Sequence, residues 1–256
     1  MKYWIINNTK FGYKNNSKEW IKIQFDYFEN FFIPFLKKYS KPNDKIIHLG
    51  NIFNHSEVIS TNILMKTFDL FQTLNSILPL IILPGINDKN NINLLFNTNI
   101  DNSIKHIQNI NQYNNEKLVF INNRIDTDIL KKHNSLIVCG LHDERNEDVN
   151  IIKVGSLYKF DNNDDRGFYI IDSETNKYKF VKNIYSPNHN TIKITNIKQI
   201  DEIDVEFVKN NNVDIIIDKS LIDDKKIKID VLLSKYDFKS ITYITRLNDI
   251  DQFLTC

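Results

Sequence analysis

Four short apolar runs, each closed by a glycine or by polar residues, constrain this chain more than any other feature. They are Tyr3–Asn8 (YWIINN), Lys45–Asn51 (KIIHLGN), Leu80–Asn87 (LIILPGIN) and Leu136–His142 (LIVCGLH). Each is rich in Ile, Leu or Val, too short for a helix and bounded by turn residues, so each reads as a buried strand. Strands of this kind lie side by side in α/β proteins, and ligands bind beyond their carboxyl ends. The polar residues after the runs are therefore expected to converge on one site.

The intervening segments supply the helices. Ser17 is placed to cap a helix over Lys18–Lys38, whose aromatic residues (Trp20, Phe25, Phe28, Phe31, Phe32 and Phe35) cover more than one face. Pro34 is expected to kink it or to end its first segment. Such a face belongs in a core or, as the second reading, in a homodimer contact through residues 18–38. Further helices are expected over Ser56–Ile77 (capped by Ser56 or Asn54) and Ser103–Ile110, with a helical turn at Thr127–Lys132. Strands at Leu118–Ile121, Ile151–Val154, Phe168–Asp172 and Tyr178–Val181 complete an α/β sandwich over residues 1–186. Ser186-Pro187-Asn188 reads as a boundary. Beyond it, strands at Ile192–Thr195, Val213–Ile217 and Ile241–Ile244 alternate with helices Ile197–Val208 and Asp224–Leu233, giving a small α/β cap over 187–256.

Composition excludes several classes. With 41% hydrophobic residues among 256, the chain folds, and no apolar run reaches membrane-spanning length. A charge of +1 is not the footprint of a protein that holds nucleic acid by bulk charge alone, although a local basic face stays open. Cys139 and Cys256 are the only cysteines, and no signal peptide is expected before the first strand. A reducing, cytoplasmic setting is expected, within the host cell for a viral or phage protein, and not secretion. Abundant Asn, Ile and Lys with no Ala point to an AT-rich genome, such as that of a virus, a phage or an AT-rich microbe.

Glycine is scarce, so each of Gly12, Gly50, Gly85, Gly140, Gly155 and Gly167 should sit where backbone geometry demands it. The segments around them are INNTKFGYKNN (6–16), HLGNIFN (48–54), LPGIND (83–88), VCGLHDER (138–145), VGSLY (154–158) and DRGFYIID (165–172). In this order they resemble the calcineurin-like metallophosphoesterases. The last two segments resemble the SbcD-type DNA-repair exonucleases, which include the recombination endonuclease subunit of large tailed phages. The resemblance covers residues 1–186 well and the cap loosely. It implies a β-sandwich flanked by helices, four layers in the order αββα, with a small α/β cap.

It also implies a dinuclear site of two Mn or Mg ions, held by Asp-x-His, Gly-Asp, Gly-Asn-His-Asp, a lone His and Gly-His-x-His. This chain departs from that pattern almost everywhere. Asn8 and Lys10 stand for the first Asp and His, and Asn51 for the bridging Asp. Ile86 and Asn87 stand for the Asn and His of the third motif, and only Asp88 keeps its identity. Leu141 and Asp143 replace the last His pair, with His142 between them, and no suitable lone His lies within 89–135. Neutral amides are weak donors and a protonated Lys cannot ligate, so no cofactor is expected. Lys10 is expected either to fill the former metal pocket, bonded to the side-chain oxygens of Asn8 and Asn51, or to point to solvent. Asp88, His142 and Asp143, with His55, are the candidates for a remodelled single-ion site. His48, in mid-strand, fits a hydrogen-bonded core histidine better than a ligand.

The resemblance thus implies a catalytically inactive relative of the nuclease subunit, kept for binding a second copy, DNA or a protein assembly. The alternative is an active metal-dependent nuclease working with a coiled-coil ABC-type ATPase. The chain's end at Cys256 counts against it, because the family's ATPase-gripping extension would follow the cap. A third expectation, in another class, is a structural component of a virion or nucleoprotein machine.

Overall fold

In a computed structural model of the protein, residues 1–55, 59–88, 105–106, 114–115, 118–122, 135–140, 143–160, 163–217 and 241–245 are described. The chain divides into two compact units, Met1–Lys159 with Asp164–Ser186, and Phe160–Asn163 with Pro187–Cys256.

In the first unit, β1 (Lys2–Ile6) is followed by a four-residue turn α1 (Tyr13–Asn16), then α2 (Lys18–Tyr27) and α3 (Ile33–Tyr39). Next come β2 (Lys45–His48), α4 (Thr61–Ile77), β3 (Leu80–Ile82) and the short strands β4 (Lys105–His106) and β5 (Asn114–Asn115). The unit ends with β6 (Leu118–Ile121), β7 (Leu136–Cys139), β8 (Asn146–Asp148), β9 (Ile151–Lys153), β10 (Gly167–Asp172) and β11 (Tyr178–Lys182). One sheet runs β11-β10-β1-β2-β3-β4 and the other β5-β6-β7-β9-β8. Both are mixed: β1 to β4 are parallel and so are β6, β7 and β9, while β10, β11, β5 and β8 join antiparallel.

Alternation along the strands explains the core. Tyr3, Ile5, Ile47 and Ile81 of the first sheet meet Leu118, Phe120, Leu136, Val138 and Ile152 of the second in a single cluster. Each such side chain contributes roughly 2 kcal/mol through burial. The opposite face of the first sheet carries Trp4, His48 and Phe168, which meet Phe35, Phe71 and Phe32 from the helices. Most of the aromatic face of 18–38 is therefore core: Trp20, Phe25, Tyr27, Phe28 and Phe32 are buried.

That helix is not one α-helix. Between α2 and α3 lies a π-helical turn, Phe28–Phe32, in which the Ile33 N–H bonds Phe28 O. Pro34 has no N–H to offer the preceding turn, so the register widens at that point. The following helix begins at Thr61, not Ser56, and its cap is Ser60, whose hydroxyl accepts from Ile63 N. Of the helix expected over 103–110, the two described residues form β4, which pairs Ile81 with Lys105 and Ile82 with His106. Sheet hydrogen bonds outweigh local propensity there. The turn expected at 127–132 lies outside the described residues.

The second unit holds a parallel sheet of β12 (His189–Ile194), β13 (Asn212–Ile217) and β14 (Ile241–Thr245), with α5 (Val205–Asn210) before β13. The helix expected over 197–208 is broken in two. A 3-10 turn, Ile197–Ile200, is closed by an Asn196/Gln199 capping box, and α5 starts afresh where Asp204 accepts from Glu206 N and Phe207 N. Short polar side chains that bond nearby N–H groups end one helix and begin the next. The helix expected over 224–233 lies outside the described residues.

Candidate functional site

The carboxyl ends of the parallel strands meet, and a backbone ladder continues past them. Leu49 N donates to Ile6 O, Asn8 N to Gly50 O, Lys10 N to Asn51 O and Phe11 N to Ile52 O. From the second sheet, Gly140 N bonds Ile121 O and Val154 N bonds Cys139 O. Asn7 ties the sheets together: its buried amide donates to Gly140 O (2.6 Å) and Gly155 O (2.9 Å). Glycines permit this closeness. A Cβ on Gly140 would stand 2.4 Å from Leu49 Cβ, and Gly50, at φ +91°, leaves room for Leu83 O and Gly85 N.

Asn8, Lys10, Asn51 and Asp143 form one connected cluster. The Asn51 amide donates to Asn8 Oδ1 (2.8 Å), and the Asn8 amide donates to Asp143 Oδ1 (3.1 Å). Lys10 Nζ lies 2.8 Å from the same carboxylate oxygen, with the Lys10 side chain only 16% exposed. The ammonium thus points inward, where the Asp143 carboxylate answers its charge. Asn8, Lys10 and Asn51 all have φ near +46 to +49°. Asn tolerates this left-handed region; Lys does so rarely, which marks the tip as a conformation held by its surroundings.

Asp88 has a different task. Its carboxylate accepts from Gly85 N (2.7 Å), Ile52 N (2.8 Å) and Phe53 N (3.3 Å), clamping the loops after β2 and β3. Burial pushes its carboxyl up to about 6, while these N–H groups pull it back down. Beside it, Asn87 donates to Asn54 O (3.2 Å), and Ile86 opens the 3-10 turn Ile86–Asp88. Leu141 and His142 lie outside the described residues. His55 is exposed, with Nε2 2.7 Å from Asn54 Nδ2.

His48 sits beneath the cluster. Gly50 N donates to its Nδ1 (3.0 Å), which leaves Nε2–H for Thr9 Oγ1 (3.1 Å), and that hydroxyl donates to Ile52 O (3.0 Å). The ring is neutral, its pKa lowered to about 3 by burial.

Asn7, Asn122, Ser156 and Arg166 also belong to the site but were not anticipated. Asn122, immediately after β6, donates to Leu83 O (3.2 Å) and closes over Gly50. Ser156 N bonds Asp143 O (2.9 Å), and the buried Arg166 guanidinium donates to that same carbonyl. Arg166 precedes Gly167 at the start of β10, so in the sequence it reads only as part of a turn.

The donor set does not fit two divalent cations. Asn8 Oδ1 is taken by Asn51, Asp143 by Lys10 and Asn8, and Asp88 by backbone N–H groups. Among the described residues no group of three His, Cys, Asp or Glu side chains is placed to hold a metal ion. No described helix is long and apolar enough to cross a membrane.

Fold and strand-tip cluster together define a mixed α/β protein with two face-to-face mixed sheets and polar loops gathered beyond their parallel strands. No known protein-family profile and no curated protein sequence matches the chain.

Proposed function

We propose that this is a pseudo-enzyme: a calcineurin-like phosphoesterase scaffold of the SbcD nuclease type, kept as a binding or structural protein after losing its catalytic ions. The single observation that carries the reading is the closed chain Asn51–Asn8–Asp143–Lys10 at the strand tips. Unpaired buried carboxylates are costly without a metal, and replacing them by amides preserves shape and hydrogen bonding while removing repulsion. A lysine paired with Asp143, which stands where the family's last His would, completes the exchange. The two-sheet sandwich, with helices on the outer face of the first sheet, supplies three of the four layers that the family's αββα order calls for. A dimer, a DNA duplex and a protein assembly are all partner classes consistent with such a scaffold.

The test is cleavage of a blunt DNA duplex by the purified full chain with Mn²⁺ or Mg²⁺, alongside elemental analysis. No cleavage and no bound metal are expected. Metal-dependent trimming of the duplex end, abolished by Asp88→Ala, would sink the proposal and restore the active nuclease.

A further inference from the structure

A second concave site lies on the first unit, at the other end of β1. The helix layer ends at Tyr39, and a groove opens between that helix end and the sheet. Cross-strand pairing puts Lys2 beside Asp172, Trp4 beside Ile170, and Ile170 beside Lys179, so these side chains share that face. With Phe35 and Tyr39 from α3, and with Lys177 and Tyr178 at the hairpin, they line a groove of about 460 Å³.

Its chemistry is two-sided. Trp4, Phe35 and Ile170 supply an apolar floor, while Tyr39 and Tyr178 stand 50% and 41% exposed at the rim. Three lysines and one carboxylate, Asp172, line the groove, and the buried Asp44 carboxylate behind it is taken by Lys2 N (2.7 Å), Lys41 N (3.0 Å) and Trp4 Nε1 (3.4 Å). Asp172 Oδ1 is already taken by Glu174 N, Thr175 N and the Thr175 hydroxyl, which shape the hairpin. Among the described residues, no ion pair is formed by the side chains of Lys2, Lys177 or Lys179. Excess positive charge around a partly aromatic hollow selects a ligand with a flat ring and several negative oxygens. The volume suits a small molecule, not a length of polymer.

We infer that this groove binds a nucleoside diphosphate, its base against the Phe35–Tyr39 side and its phosphates at the lysines. The site shares no residue with the strand-tip cluster, so it stands whether or not the pseudo-enzyme reading does. Aromatic stacking accepts any base, and ammonium groups act on phosphate as point charges, so modest base selectivity and strong salt dependence follow.

The experiment is calorimetric titration of the full chain with ADP at low salt, with adenosine and inorganic diphosphate as separate arms. Saturable binding of one ADP is expected, at least about tenfold tighter than either fragment, because ring and phosphates both contribute. Lys179→Glu and Tyr39→Ala, both at exposed positions that leave the fold intact, each weaken ADP at least about tenfold. Lys22→Glu, the same charge change on an exposed α2 position, leaves it unaltered. Four results would each overturn the inference: no saturable heat at millimolar ADP, diphosphate binding as tightly as ADP, indifference to both variants, or tighter binding of a single-stranded oligothymidylate or an oligo-aspartate peptide.

Discussion

The two ends of β1 treat lysine in opposite ways. At the carboxyl end, Lys10 is mostly buried and sits 2.8 Å from Asp143, which also takes the amide of Asn8. At the amino end, Lys2 lines an open groove with Lys177 and Lys179, and none of these three forms an ion pair among the described residues. The difference follows from solvent. A charge withdrawn from water needs a partner, whereas an exposed ammonium is satisfied by hydration and stays available to an incoming anion. Where a cluster has answered its own polar groups, little is left to recruit a ligand; where charge is unanswered, a ligand completes it.

The largest effect expected of this contrast lies beneath the paired end. His48 has its pKa lowered from 6.5 to about 3, so its contribution is fully present above 6.5 and is lost as pH falls toward 3, because the unfolded chain takes up the proton first. A shift of that size corresponds to roughly 5 kcal/mol at most. Asp88 works in the opposite sense. Its carboxyl is raised from 3.8 to about 6, so its burial is costly above 6 and is relieved as pH falls toward 3.8. That term is worth roughly 3 kcal/mol. Between pH 6 and 4 the two terms offset, one proton taken up by the unfolded chain at His48 against one taken up by the folded chain at Asp88, so urea midpoints of the native protein should stay nearly level there and decline only below about 3.8. In His48→Gln, which cannot be protonated, they should rise between pH 6 and 4. An unchanged slope would remove His48 from the support of the tip.

Next in size is the staple between sheets. Asn7→Ala strips the amide from two buried carbonyls, those of Gly140 and Gly155, and should cost about 3 kcal/mol in chemical denaturation. A loss near zero would mean that the two sheets hold their tips together without it. The Lys10–Asp143 pair comes third. Asp143 is 48% exposed, so solvent screens the attraction, and a double-mutant cycle of Lys10→Met and Asp143→Asn should return a coupling of about 1 kcal/mol or less. At the open end, Lys179→Ala should shift stability by no more than about 0.5 kcal/mol. A larger loss would show that the groove lysines are structural and would erase the contrast.

Much of the framework could be read from residue patterns because burial dictates them. The runs YWII, KIIH, LII and LIVC are strands for the plain reason that β-branched and aliphatic residues on both faces suit a covered sheet. What escaped were choices made by several weak signals at once. The pattern before α4 points to Ser56 or Asn54 as its cap, and the structure uses Ser60, whose hydroxyl accepts from Ile63 N. Pro34 announced a break in the helix but not its form, a π turn between α2 and α3. Within the tip, Asn8 and Asn51 could be singled out by their place after strands, yet Asn7, one residue earlier, makes the bridge between sheets. Asn122 and Arg166 had no motif of their own; only strand pairing brings them to Gly50 and Asp143. The partner of Lys10 escaped for the same reason, since 133 residues of chain separate it from Asp143 and local pattern says nothing about such contacts.

Ion binding at the strand tips is the most direct measurement. Titrate the full chain with Mn²⁺ and follow both heat and the paramagnetic signal of the free ion. Self-pairing of Asn51, Asn8, Asp143 and Lys10 predicts no saturable uptake at the tips at submillimolar Mn²⁺, and restored uptake in the triple variant Asn8→Asp, Lys10→His, Asn51→Asp. Two ions held tightly by the unaltered chain, and lost on Asp88→Ala, would contradict it.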